Sequence, residues 1–320
     1  MDLALNTTGD DSVGKLAMTM SAIAYQPNAT EISYQLATNP LTAGRWSLAW
    51  YGVDTSINWD ANQAYVARDD VTGQLAIAIR GSATDPFSWA FWYDWFVEDF
   101  FVVDPVDWPY GGAPAGAKIS EGSLIALGKL LAIRGTANQT LTAFLRANPT
   151  TVLTAVTGHS LGGALSYVLA PYLHQTFAPG HDVLDYWPIT FAAPTVGNPI
   201  YADWLVDRFV ANVSRYHNVV DVAPHAWAGL EWILESFPGS TAPKIPAELY
   251  APIDAIRLYF KAKDIHYKQA GPGIALDGTL VIPDDWVHEA GLQHSHLTYL
   301  RLLGVQPISV AVPGGAGASM

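Results

Sequence analysis

The stretch from Thr151 to Leu165 limits most tightly what this chain can fold into. Its first half, Thr151 to Thr157, is β-branched and apolar, as a strand buried on both faces of a parallel sheet requires. Its second half changes to helical spacing, with Leu161, Leu165, Val168 and Leu169 available to one face. Gly158-x-Ser160-x-Gly162 stands between the two. A strand-to-helix turn this tight strains the backbone of its central residue, and side chains at the flanking positions would collide. The glycines remove those collisions and lift the Ser160 hydroxyl over the end of the sheet as a nucleophile. The amide of Leu161, at the helix start, is then left for an oxyanion. Chance also produces this five-residue pattern, but the strand before it, the helix after it and Gly163-Ala164 for close packing set this one apart.

Alternating strands and helices continue on both sides and imply an α/β fold with a mostly parallel central sheet. The 320 residues, half of them apolar, can bury one large core. We expect a single domain over residues 1–305 and a flexible Pro/Gly/Ala/Ser tail over 306–320. The net charge of −13, with only 16 Lys plus Arg, argues against a nucleic-acid partner or attraction to anionic lipid. It leaves contact with a neutral oil surface open, because apolar area drives that contact. There is no cysteine, so thiol catalysis, disulfides and Cys-based metal sites drop out. No run reaches transmembrane length. Leu16 to Ala24 is apolar, but Asp2, Asp10 and Asp11 precede it, the wrong charge for a secretory leader. Ser12–Tyr25 therefore reads as a first helix capped by Asp11 or Ser12, and the compartment stays open, cytoplasmic or secreted without a leader.

Residues 46–60 and 63–68 read as strands, and a turn over 69–73 leads into a buried strand ending at Arg80-Gly81-Ser82. The loop after such a strand is placed to supply a second oxyanion donor, here Ser82. The next segment, 85–101, has nine aromatics in seventeen residues, in a chain that is 12% aromatic overall. With Asp94, Glu98 and Asp99 on a polar stripe, it reads as a lid or acyl-pocket wall built from Phe87, Trp89, Trp92, Trp95 and Phe96, with the lid spanning about 85–103. Residues 104–118 read as a loop, Glu121 to about Arg146 as one helix, 188–194 and 213–221 as strands, and 200–210 as a helix. The stretch 226–281 reads as an irregular rim insertion with a helix near Ile253–Leu258.

A serine hydroxyl needs a base, and the base needs an orienting carboxylate. Ser160, Asp221 at a strand end, and a histidine at 294 or 296 stand in the order Ser, Asp, His that this type of fold uses. Spacing does not separate His294 from His296. A zinc site from the two with Glu289 and Asp284 lacks a defined third ligand. His159 reads as a packed neighbour and Asp203 as a surface rival to Asp221.

Five segments in order resemble the class 3 (fungal-type) lipase family: Arg80-Gly81-Ser82, Thr157 to Ala164, Phe191 to Asn198, His217 to Pro224 and His296-Leu297-Thr298-Tyr299. The resemblance implies an α/β-hydrolase fold, ester hydrolysis without a cofactor, and Ser160, Asp221 and His296 as the catalytic residues. It places the oxyanion hole on Ser82 and Leu161 and the lid on the aromatic segment. Triacylglycerol at an oil–water interface is the implied substrate. A non-lipolytic feruloyl- or polyester-type esterase, a phospholipase and a non-catalytic binding protein are the alternatives. Glu121-Gly122-Ser123 and the 226–281 insertion depart from the family pattern and bear on substrate preference.

Overall fold

Three apolar runs, Leu75–Ile79, Thr154–His159 and Tyr186–Phe191, are buried at every position and form the middle of one sheet. A computed structural model describes residues 11–54, 62–82, 87–88, 92, 104–150, 152–177, 186–209, 213–235, 237, 242–308 and 310. The chain begins with α1 (Ser12–Ile23) and α2 (Ala29–Thr38), then β1 (Trp46–Val53), β2 (Gln63–Asp69) and β3 (Leu75–Ile79). The Asp11 side chain accepts the Gly14 amide at 3.2 Å and caps α1, as expected. A two-stranded ladder of β4 (Pro105–Asp107) and β5 (Lys118–Ser120) follows, with α3 (Glu121–Ala132) and α4 (Leu141–Ala147). Then come β6 (Thr154–His159), α5 (Leu161–Phe177), β7 (Tyr186–Phe191), α6 (Pro199–Phe209) and β8 (Ser214–Asn218). The last part holds α7 (Leu230–Leu234), α8 (Ala247–Lys263), β9 (Gly273–Leu276), α9 (Trp286–His294) and α10 (His296–Leu302).

The main sheet has the order β1-β2-β3-β6-β7-β8-β9. β1, β2 and β3 are antiparallel, and from β3 to β9 every pairing is parallel. Parallel strands buried on both faces need helices on both sides. The two faces are covered by separate apolar clusters. One contains Leu16, Met20 and Ile23 of α1 with Tyr299 and Leu300 of α10. The other contains Leu165, Val168 and Leu169 of α5 with Leu127 and Leu130 of α3. All carboxyl ends of the parallel strands therefore point to one edge, where a site in this architecture is built.

Three expectations are corrected. The helix expected over 121–146 is two helices, because after Ala132 the chain leaves helical geometry at Ile133 and Gly135 and turns through Thr136–Asn138, where Ala137 has φ 55°. Glu121-Gly122-Ser123 is the first turn of α3, capped by Ser120, whose hydroxyl accepts the Ser123 amide at 3.2 Å. The 226–281 insertion is not irregular: α8 buries Leu249, Ile253, Ile256 and Phe260, and β9 joins the sheet as its edge strand. Ile308, in the segment expected to be a flexible tail, is 3% exposed and packs on the α1 side of the core.

Candidate active site

Ser160 follows β6 directly with φ 59°, a left-handed conformation that an L-residue keeps only when its surroundings enforce it. The enforcement is visible in two contacts. The Ser160 amide donates to Phe191 O at 2.9 Å, tying the turn to the end of β7. A Cβ at Gly158 would lie 2.2 Å from the carbonyl carbon of Gly162, and one at Gly162 would lie 2.2 Å from Ile79 O. The turn thus closes on itself and on the end of β3, leaving no room for a side chain at either position. That packing brings the Arg80–Ser82 loop beside the start of α5. There Leu161 is the first helical residue, with its amide among those a helix cannot satisfy internally.

His294, the last residue of α9, fills the space over Ser160. Its Nε2 lies 2.8 Å from Ser160 Oγ. Its Nδ1 lies 3.0 and 3.2 Å from the two carboxylate oxygens of Asp221. Ser160, His294 and Asp221 are 3%, 2% and 0% exposed, so their mutual bonds operate in a low-dielectric setting. Asp221 also accepts the Ala223 amide at 3.0 Å and the Tyr299 hydroxyl at 2.8 Å. Burial, and then the Asp221 charge, push the Tyr299 phenol well above its ordinary value, so it stays a donor to that carboxylate.

His296 lies elsewhere, which corrects the expectation placed on it. Ser295 is extended between two helices (φ −58°, ψ 136°), closing α9 and capping α10. His296 stacks on Tyr25, with ring centroids 4.7 Å apart and planes 13° apart. Burial lowers its pKa to about 4; the Ile308 backbone opposes this and the His294 imidazole adds to it. In the His-Leu-x-Tyr segment it is Tyr299, not His296, that reaches the acid, and the imidazole arrives from the helix before. Sequence spacing carried no signal for that difference, nor for Tyr25, whose hydroxyl lies 2.9 Å from His159 Nδ1. His159 is packed under the site as expected, and burial and then the imidazoles of His294 and His296 hold it well below the usual histidine value.

Of the aromatic segment, Trp92 is fully buried and edge-on to His294, 5.8 Å between centroids, and to Trp286 at the same distance. Phe87 is 37% exposed. Trp89, Trp95 and Phe96 lie outside the described residues. Asp203 is exposed on α6 and paired with Lys268 Nζ at 2.5 Å, far from any role as orienting acid. Among the described residues no group of three or more His, Cys, Asp or Glu side chains is gathered as a metal ion would need.

A mostly parallel sheet with a strained serine turn after an inner strand, an aspartate just past a later strand end and a histidine at the end of a helix is the architecture of the α/β-hydrolase fold. The family description "Lipase (class 3)" matches residues 76–230. A lipase from Rhizomucor miehei is 29% identical over 171 residues, which is 53% of this chain and 42% of that protein. A secreted mono- and diacylglycerol lipase from Fusarium solani is 30% identical over 154 residues, 48% of this chain and 40% of that protein. The chain thus spans about two fifths of the length of the curated relatives it matches. The crystal structure of M37 lipase superimposes with a TM-score of 0.76 at 27% identity, covering 91% of this chain and 92% of that one. Residues 76–230 of the chain thus match the class 3 lipase family, and the fold over nearly the whole chain is that of a lipase structure.

Proposed function

We propose that this chain is a carboxylic ester hydrolase, a lipase acting on acylglycerols, and that Ser160, His294 and Asp221 are its catalytic triad. The observation that carries the reading is the 2.8 Å contact between Ser160 Oγ and His294 Nε2, with His294 Nδ1 held on Asp221. In this reading Ser160 attacks the ester carbonyl while neutral His294 takes its proton. Asp221 stabilises the imidazolium that forms, and His294 passes the proton to the departing alcohol. Water activated by the same imidazole then releases the acid from the acyl-enzyme. The Leu161 amide and Ser82 bind the oxyanion, each donor contributing on the order of 3–4 kcal/mol to the transition state. Trp92 forms part of the wall over the acyl site, and an oil–water interface is where the substrate is met. Among the described residues no helix is long and apolar enough to cross a membrane.

The test is hydrolysis of p-nitrophenyl esters of short, medium and long acyl chains, below and above their solubility, by wild type and Ser160→Ala. We expect Ser160→Ala to lose about 10^4-fold or more in kcat with the fold intact. Unchanged turnover in that variant removes the serine hydrolase reading. Activity on long chains that rises when an oil phase forms supports the lipase. Activity confined to soluble short esters replaces it with an esterase.

A further inference from the structure

The triad explains the ends of α9 and β8 but leaves a second set of buried polar side chains behind them without a use. Glu289, Gln293 and Asn218 are each 0% exposed. The Glu289 carboxylate accepts the Val281 amide at 3.1 Å and the Ile282 amide at 2.6 Å, and also the Gln293 side-chain amide at 2.7 Å. That same Gln293 amide donates to Thr279 O at 2.8 Å. Gln293 Oε1 then accepts from Asn218 Nδ2 at 2.7 Å, and the Gln293 backbone carbonyl takes a second bond from that nitrogen at 3.1 Å. Asn218 accepts the Val220 amide on Oδ1 at 3.3 Å. Its own backbone amide donates to the Tyr299 hydroxyl at 3.0 Å, the hydroxyl that holds Asp221.

Every donor in this chain of bonds meets an acceptor, so the network costs little to bury and has one low-energy arrangement. Its position is informative. Gln293 is the neighbour of His294 on α9, and Asn218 ends the strand that leads to Asp221. The two bonds from the Asn218 side chain, one to the Gln293 side chain and one to its backbone carbonyl, tie the element carrying the base to the element carrying the acid. Glu289, one turn earlier on α9, fixes the Gln293 amide so that its oxygen, not its nitrogen, faces Asn218.

We infer that Gln293 and Asn218, oriented by Glu289, are positioning residues that set the His294–Asp221 distance. This rests on the triad reading above. A displacement of the imidazole by a fraction of an ångström weakens both of its bonds, and misplacement of that order lowers turnover without weakening ester binding.

The experiment compares Gln293→Met, which keeps the volume and removes the three bonds of the Gln293 side chain while leaving the one to its backbone carbonyl, with wild type on a soluble ester. We expect kcat to fall about 10- to 100-fold with KM within about twofold. The downfield proton resonance of His294 Nδ1–H on Asp221 should shift or broaden in the same variant, a signature that mere loss of stability does not move. Glu289→Gln, a milder change, should move both readouts in the same direction and serves if Gln293→Met does not fold. A folded variant with wild-type kcat, or with lowered kcat and an unmoved resonance, overturns the positioning role. His294→Gln separates the two readings. If it keeps turnover the triad and the network fall together; if it is inactive while Gln293→Met is unaltered, only the network falls.

Discussion

The turn at Ser160 and the break at Ser295 aim side chains at the same point by opposite means. At Ser160 the geometry is made locally: one strand, one turn and one helix, with the turn's own backbone against Gly158 and the end of β3 against Gly162 pressed so close that only hydrogen fits at either position. At Ser295 nothing local decides. Two histidines flank an extended residue between short helices, and each takes its role from what lies opposite it, His294 from Ser160 and Asp221, His296 from Tyr25. The first region is specified by steric exclusion, which is short-ranged. The second is specified by long-range pairing, with contacts 73 and 134 residues away in sequence.

The largest effect expected from that contrast is between the two histidines. His294→Gln should lower kcat on a soluble ester on the order of 10^4-fold or more, whereas His296→Gln should leave kcat within about threefold. Steady-state kinetics on both purified variants decides it. Equal losses would mean that the two rings act as a unit.

The same contrast explains how much was legible beforehand. The elbow, the Arg80–Ser82 loop, the strand ending near Asp221 and the cap of α1 by Asp11 were all readable, because each is written in a few adjacent residues. The identity of the base was not. His294 and His296 differ by two positions, and the family's His-Leu-x-Tyr pattern matches at His296, but that pattern is satisfied here through Tyr299 bonding Asp221. The edge strand β9 escaped for a related reason. Gly273–Leu276 has a single buried residue, so it lacks the apolar run that announced β3, β6 and β7, and its pairing with Arg215–Asn218 is a tertiary fact.

A smaller effect tests the steric half. Gly162→Ala places a methyl group 2.2 Å from Ile79 O, a backbone atom that no rotamer change can move. Overpacking of this kind costs about 3 kcal/mol, and here it also pushes α5 and the Leu161 amide away from Ser160. The unfolding midpoint in urea and the activity of the folded fraction should both drop. At Ser295, where no steric lock exists, Ser295→Ala removes only the bond its hydroxyl accepts from the Leu297 amide at 3.3 Å and should cost about 1 kcal/mol, as cap losses do. A Gly162→Ala variant as stable as wild type would mean that the elbow yields, and that local exclusion does not set its shape.

The remaining prediction concerns the histidine that has no part in the chemistry. Burial, with the His294 imidazole adding to it, pushes His296 down to about 4 in the folded chain from an ordinary histidine value of 6.5, its ring stacked on Tyr25. The unfolded chain therefore takes up this proton first. Between pH 6.5 and 4 the unfolded state binds more protons than the folded one, so stability falls as pH falls through that window. Above pH 7 both states are neutral and the contribution vanishes. By pH 5 the cost from His296 alone is at most about 2 kcal/mol, reduced to the extent that its ring edge meets solvent. His159 and His225, also held low by burial, add to the slope. His296→Phe keeps the stacking on Tyr25 and removes the titration. Its urea midpoint should decline less than that of wild type between pH 7 and 5, while its kcat stays near wild type at pH 8. Parallel pH dependences would show that His296 charges freely in the folded state. The ring would then be loosely held, and the two sides of Ser295 would differ in chemistry alone and not in packing.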